Sequence, residues 1–424
     1  MSSENPKVEH INYALFAKKH PSMYLMHKYF ARKPHNVVAE YIKHYSKPGD
    51  IILDPFVGSG VTAIEALKCG RKAVAIDLDP MAIFITRMTL VPVDLEEVQK
   101  VFQQVETEVK DEILQLYETK CERCRSKTIA THIIWTLDEK SGSEKPYKIW
   151  YICKKCRKRT FSEKIPDNND LKKLKEIENT EIGFWHPKNE LIWNTRVNVH
   201  KGERIHDLFT KRNLLALSMI FNTIEKISQA NAKDLMKFIF TSSLAQASKL
   251  IPVVHGGKEC KSWTVRGYWI PPKHFEINAW NCFEERFKKI LRGKGESNQS
   301  VGKHFKEAKK FEDLLADKTI LISKQSALDL SNIPDNSVDY IFTDPPYGDS
   351  VPYLELDYMW SSWLGFKPDF EDEIIISDSP VRKNKNLEEY NRMLMQSFKE
   401  CFRVLKSNHW LTVTFHNTDI EIYN

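Results

Sequence analysis

Apolar and polar residues change their period several times along the chain, and each change marks an element. Val37 to Ile42 keep a helical period and give way to the turn KPGD. A short apolar strand follows at Ile51 to Leu53, then a glycine-bearing loop, a helix from Val61 and a second strand from Lys72 to Ile76 that runs into Asp77. Strand, helix and strand in this order predict a parallel sheet. Apolar residues then recur at helical spacing through Leu95, Val98, Val101, Phe102, Val105, Val109 and Ile113, which predicts a long amphipathic helix.

In the middle of the chain THIIWT (131–136) is β-prone, while RNLLALSMIFNTIEKI and NAKDLMKFIFTSSLAQASKL read as helices. GKGESNQSVGK (293–303) is glycine-rich and polar without a period, and reads as a flexible linker or loop. Beyond it KTILIS, VDYIF, the helical LEEYNRMLMQSFKECFRVL and HWLTVTF alternate strand and helix again. The expected fold is α/β, one sheet domain interrupted by an inserted region of roughly 200 residues, too long for a structureless connection. Residues 1–93 and 301–424 are expected to form its two halves. Between them come a connecting helix (94–120), a cysteine-bearing ribbon (121–165) and a mostly helical insert (166–300) read as target-recognising.

Composition narrows the class. At 424 residues the chain can hold two or three domains, each with its own core. No apolar run approaches the ~20 residues that span a bilayer. MSSENPKVEH lacks the basic and apolar regions of a signal peptide, so a cytoplasmic protein without membrane attachment is expected. A net charge of +6 is too small to make an overall cationic field the argument for nucleic acid. Basic runs gather in the middle instead, at Lys154 to Arg159 (KKCRKR), at 171–175 (LKKLK) and from KGER to TKR across 201–212. Such runs are open both to phosphate contact and to a solvated surface.

Four of the eight cysteines form two CxxC pairs, CERC (121–124) and CKKC (153–156). Without a secretory context that spacing favours metal over disulfides. Cys121, Cys124, Cys153 and Cys156 would supply a closed tetrahedral thiolate site, the geometry of structural zinc. Cys69, Cys260, Cys282 and Cys401 have no partner spacing and read as core residues. His186, His200 and His255 are scattered without a ligand period, and WTVRGYWIPP (263–272), with Arg266, reads as a packed loop in preference to a nucleic-acid contact.

Two stretches carry the chemistry. DPFVGSG, Asp54 to Gly60, follows a strand and opens a helix; Gly58 and Gly60 let backbone pass close to a ligand, and the helix start offers free N–H groups. Asp77, at the end of the next strand, is placed to hydrogen-bond a ribose diol. A glycine loop alone is compatible with a simple tight turn, but the ordered series strand, loop, helix, strand and acid predicts a nucleoside cofactor. The loop lacks the terminal lysine of a Walker A sequence, which argues against ATP. The second stretch is TDPPYGDS, Thr343 to Ser350, directly after VDYIF.

DPFVGSGVT and TDPPYG together resemble the amino-methyltransferases that use S-adenosylmethionine to methylate the exocyclic nitrogen of a base. YFARKPHNVVAEYI (29–42) is similar to the segment that precedes the glycine loop in that family and completes its cofactor pocket. The likeness covers about 28–90 and 318–424. FTKRNLLALS, YWIPPKHFEINAWNCFEERF and DPPYGDSVPYLELDYMWSSWLG are similar in kind to phrases of the site-specific adenine DNA methylases that carry a zinc ribbon. The resemblance implies a Rossmann-like class I methyltransferase sheet, S-adenosylmethionine as cofactor and double-stranded DNA as partner. It assigns Asp54, Pro55, Phe56, Gly58, Gly60 and Thr62 to the cofactor, Asp77 to its ribose, and Asp344, Pro345, Pro346 and Tyr347 to the target base. Where such enzymes often carry an acid after the third strand this chain reads QSA, leaving Ser326 as the candidate beside the cofactor adenine.

An aromatic amine is a poor nucleophile because its lone pair is delocalised into the ring. Asp344 can accept one of its N–H groups and the Pro345 carbonyl the other, localising the lone pair. The prolines fix φ and hold that carbonyl rigid, and Tyr347 can stack on a base drawn out of the helix at a cost of a few kcal/mol. By the resemblance, the leading acid favours adenine N6, since cytosine N4 enzymes usually begin with serine. Two other readings stay open: an RNA guanine-N2 methyltransferase, and a DNA-recognition subunit of a larger modification or defence complex. The family sheet normally continues with a final antiparallel strand pair, whereas this chain stops at Asn424 soon after HWLTVTFHN; two readings of that edge stay open, completion by a partner chain or self-association and a truncated sequence.

Overall fold

The computed structural model describes residues 9–138, 143–156, 161–254, 258–259 and 267–416. Arg157, Lys158 and Arg159 of the basic knuckle, His255, Cys260 and the WTVR opening of the 263–272 stretch, with Arg266, lie outside the described residues. The chain divides into two compact units, one of residues 1–92, 292–354 and 367–424, the other of 93–291 and 355–366.

The first unit opens with α1 (His35–Tyr45), β1 (Ile51–Asp54), α2 (Val61–Lys68), β2 (Lys72–Asp77) and α3 (Pro80–Leu90). The second unit follows with α4 (Leu95–Leu116), β3 (Glu118–Lys120), β4 (Lys127–Leu137), β5 (Glu144–Tyr151) and β6 (Ser162–Lys164). It continues through α5 (Asn168–Asn179), α6 (Lys211–Glu225), α7 (Ala230–Ala247), the short β7 (Val253–Val254) and β8 (Lys258–Glu259), and β9 (Lys273–Ile277). After α8 (Ala279–Ser300) come β10 (Glu307–Ala308), α9 (Phe311–Leu315), β11 (Ile320–Lys324) and β12 (Val338–Thr343). The remaining elements are α10 (Tyr353–Leu364), α11 (Leu387–Val404) and β13 (Leu405–Val413).

All six strands of the first unit run parallel, in the order β10-β11-β2-β1-β12-β13. A parallel sheet is covered on both faces, which is why β1 and β12 are buried along their whole length and are apolar at most positions. Alternate residues feed two cores. Ile52, Ala73, Ala75, Ile320, Tyr340 and Phe342 pack with Val38, Ile42, Ile64 and Leu67 of α1 and α2. Ile51, Leu53, Val74, Ile76, Leu321, Val338 and Ile341 pack with Phe311, Leu314, Val404 and the buried Cys401. β1 connects to β2 on one side and pairs with β12 on the other, so strand order reverses beside β1 and a crevice opens at the carboxyl ends.

The 293–303 stretch is not a linker: α8 runs through to Ser300. Two of its polar residues, Lys294 and Ser297, are fully buried. Lys294 Nζ donates to the carbonyls of Met88 (3.0 Å), Thr89 (3.2 Å) and Val91 (2.6 Å), capping the carboxyl end of α3 where a cation is favoured. Burial pushes the Lys294 ammonium down to about 7. A Cβ on Gly293 would lie 2.4 Å from Met26 Cγ, so glycine here permits a close approach and does not break the helix.

In the second unit the expected amphipathic helix is α4, capped by Asp94, whose carboxylate accepts from Glu96 N (2.9 Å). THIIWT lies inside β4, which pairs antiparallel with β3, β5 and β9. Glu276 of β9, almost fully buried, accepts from Trp135 Nε1 (2.6 Å) and Thr210 Oγ1 (2.9 Å) and lies 3.3 Å from Arg212. The buried Glu276 carboxylate is thereby compensated by two hydrogen bonds and a neighbouring cation. Cys282 is buried and Cys69 half-buried. Among the described residues no helix is long and apolar enough to cross a membrane.

A candidate active site at the carboxyl ends of the parallel strands

The crevice beside β1 is a cleft enclosing about 950 Å³, part of it open to solvent. The Asp54–Gly60 loop forms its floor, and it closes only because two glycines take left-handed backbone, Gly58 at φ +52° and Gly60 at φ +83°. A Cβ on Gly58 would sit 2.8 Å from the Tyr29 ring and one on Gly60 2.8 Å from the Thr86 hydroxyl. Gly60 therefore lies behind the loop as the N-cap of α2, while Pro55, Phe56, Gly58 and Thr62 reach the cleft wall.

Asp54 anchors the loop. Its Oδ1 accepts from Phe56 N (3.1 Å) and from the Thr343 hydroxyl (2.9 Å), so the end of β12 is tied to the end of β1. Burial pushes its carboxyl up to about 6 against hydrogen bonds from Thr62, Phe56 and Thr343. Asp77 lines the cleft at the end of β2, with Oδ2 accepting from Gly58 N (2.7 Å) and Oδ1 from Asp79 N (3.0 Å). A carboxylate has about four acceptor positions, so Asp77 braces the loop and keeps acceptors for a diol. Protein packs densely behind it while one edge stays open to the cleft; that burial and the charge of Asp79 push it up to about 7, against the two backbone hydrogen bonds. Ser326 is turned into its own loop, its hydroxyl accepting from Leu328 N (3.2 Å); the neighbouring Ala327 lines the cleft.

The TDPPY turn begins where β12 ends, and Asp344 and Pro346 line the opposite wall. Asp344 Oδ1 accepts from the Thr414 hydroxyl (2.7 Å) and from the Tyr347 hydroxyl. Its Oδ2 lies 2.8 Å from Lys33 Nζ, which also donates to Tyr347 Oη (2.7 Å). The turn is braced beneath by the buried Tyr390, whose hydroxyl donates to the Pro346 carbonyl (2.7 Å), and Phe415 packs edge-on against the Tyr347 ring. Pro345 lies between these fixed points.

Sequence reading singled out 29–42 as completing the pocket but not its individual residues. Arg32 lines the cleft and donates to Ser59 Oγ (3.0 Å) and the His27 carbonyl (3.1 Å), and burial pushes its guanidinium down to about 10. Asp372, Glu373 and Ile374 close one side, with Glu373 held by the buried Arg382 (2.7 Å). The acidic run EDE gave no signal, since such runs read as solvated loop.

In the second unit, Cys121, Cys124, Cys153 and Cys156 meet at the ends of β3, β4 and β5, their sulfurs within 4.8 Å of one another. Zinc–thiolate bonds of ~2.3 Å in a tetrahedron set sulfurs about 3.8 Å apart. Cys121 to Cys156 measures 3.9 Å and Cys124 to Cys153 3.6 Å, so the donor set fits the ion.

Residues 3–87 match the family model of N6/N4 methyltransferases, described as DNA methylase. The chain is 25% identical over 163 residues to the type II methyltransferase M.MjaII of Methanocaldococcus jannaschii, a match covering 35% of this chain and 31% of the relative. It is 21% identical to M.MvaI of Kocuria varians over 76% of this chain and 52% of the relative. To M2.DpnII of Streptococcus pneumoniae it is 37% identical over 18% of this chain and 25% of the relative. The chain thus spans between about a quarter and a half of the length of these curated relatives. No solved structure matches it significantly.

Proposed function

We propose that the chain is an S-adenosylmethionine-dependent DNA methyltransferase that acts on the exocyclic amine of a base drawn out of the duplex, adenine N6 in preference to cytosine N4. One observation carries this reading: the glycine loop lines one cleft together with Asp344 and Pro346 of the turn after β12, and the Thr343–Asp54 hydrogen bond joins the two segments. The family match and the type II methyltransferase relatives support it.

Six carboxylates, on Asp54, Asp77, Asp79, Asp344, Asp372 and Glu373, line the cleft against Arg32 and Lys33, an environment suited to a cationic ligand. S-adenosylmethionine, when bound, supplies an electrophilic methyl group on a positively charged sulfur. Phe56 and Gly58 border its place, and Asp77 offers acceptors to its ribose. Asp344 accepts one N–H of the target amine and the Pro345 carbonyl the other, so the nitrogen lone pair points along the line of attack. With the cofactor bound, Asp344 would also be the acceptor for the N–H proton that the methylated amine has to lose. The Tyr347 ring backs the base. Cys121, Cys124, Cys153 and Cys156 are proposed to hold a structural zinc, and the second unit to read the DNA.

Incubating unmethylated genomic DNA with labelled cofactor and resolving the nucleosides by mass spectrometry tests the reading. Label is expected in N6-methyladenine; label in N4-methylcytosine would reassign the base, and transfer to RNA alone would remove DNA as substrate.

Asp77 adds a pH dependence. Its carboxylate accepts both hydroxyls of a ribose diol most strongly when ionised, so cofactor affinity is expected to fall by up to about tenfold as the pH drops from about 8 to about 6, through the raised value of about 7. An Asp77→Asn variant should bind weakly at every pH in a calorimetric titration. A flat wild-type profile would remove Asp77 from the ribose.

A further inference from the structure

We propose that Lys33 is a displaceable stand-in for the target amine, its ammonium occupying the amine's place on Asp344 and Tyr347 until a base takes that place over. The proposal rests on the methyltransferase reading above and concerns how the base is captured. Asp344 Oδ1 is held by two hydroxyls, from Thr414 and Tyr347, so Oδ2 is the oxygen left for substrate, and it is the one Lys33 covers at 2.8 Å. An ammonium and an aromatic amine are alike in being nitrogen donors without an acceptor role here. What is built to accept from one accepts from the other.

The contact extends to the rim of the aromatic wall. Lys33 Nζ lies 2.7 Å from the Tyr347 hydroxyl and 5.1 Å from the ring centroid, at the hydroxyl edge of the ring on which a flipped base would stack. Burial works against the charge on Lys33, but hydrogen bonds to Asp344 and Tyr347 more than offset it and hold the ammonium above the ordinary lysine range. It is a cation whenever the cleft is empty.

Methyl transfer makes the acceptor nitrogen positive, and a fixed cation beside it would oppose that charge. Lys33 must therefore leave Oδ2 before transfer. Its long flexible stem and 26% side-chain exposure give it a way out toward solvent. In the resting cleft it neutralises Asp344 among the neighbouring carboxylates; in the loaded cleft the amine replaces it. Lys33 is a positioning residue in this scheme, acting through Asp344.

The order of two variants distinguishes this from a merely structural role. Steady-state transfer of labelled methyl from S-adenosylmethionine to unmethylated genomic DNA would be measured for wild type, Lys33→Met and Lys33→Arg, with thermal melting as the folding control. Methionine removes the competitor, so the KM for DNA is expected to fall by roughly 3- to 10-fold, as the empty site becomes competent without a displacement step. Arginine grips a carboxylate with a two-pronged planar fork and is expected to raise KM by about tenfold. The reverse order, arginine tolerated and methionine losing kcat, would overturn the proposal, as would three equal KM values. Should Lys33→Met melt early, Lys33→Gln serves as the neutral variant and the arginine arm stands by itself. A wild type that binds cofactor yet transfers no methyl group to nucleic acid would end the methyltransferase reading and this proposal with it. Wild-type transfer with the wrong order of variants ends this proposal alone.

Discussion

Asp344→Asn is expected to slow methyl transfer about 10²- to 10³-fold in single-turnover assays. The asparagine is nearly isosteric, so the β12 turn and its Tyr390 brace should survive. What changes is the acceptor. A neutral amide oxygen attracts the amine more weakly than a carboxylate does, and it offers nothing to the positive charge growing on nitrogen. The substitution also strips Lys33 of its counter-ion. Cofactor affinity, carried by the facing loop, should stay within about threefold in calorimetric titration. A variant that loses cofactor binding in parallel with rate would show that Asp344 works by holding the cleft together, and one with undiminished rate would remove it from the reaction.

The largest effect on stability is expected at the four cysteines. Structural zinc contributes about 10–16 kcal/mol of apparent binding energy in isolated zinc-finger peptides, far more than any single contact between β3, β4 and β5. Elemental analysis should return one zinc per chain. A Cys121→Ser, Cys156→Ser double variant, or chelation, should remove the metal and abolish hydrogen-exchange protection of those strands, which the ends of β3 and β5 alone cannot fix. Full protection in metal-free protein would show that the sulfurs are reduced thiols packed together, with Ser126 and Tyr151 as their hydrogen-bond partners.

Those parts of the fold and site that rest on local chemistry were legible in the chain. The glycine loop could be read because left-handed backbone with Tyr29 and Thr86 pressed against it leaves no room for a Cβ at 58 and 60, and β12 because a strand buried on both faces is mostly apolar. The end of α8 was not legible. Glycine, lysine and serine at 293, 294 and 297 look like solvated linker unless one knows that Met26 and the end of α3 lie against them. Lys33 and the Asp372–Ile374 wall were missed for the same reason, since their meaning comes from distant partners. At the third strand the reading fell one residue from the cleft: Ser326 spends its hydroxyl on a turn, and Ala327 faces inward.

The pairing of β1 with β12 also sets a timetable. Ile51 N donates to Asp339 Oδ2 across 288 residues of sequence. A ribosome adding ~5–20 residues per second leaves that side of β1 without its neighbour for roughly 15–60 s. Through that interval the nascent chain presents the apolar edge of Ile51, Ile52 and Leu53, while the second unit is synthesised and has time to fold first. A strand at the centre of the sheet is thus made long before the neighbour that completes it.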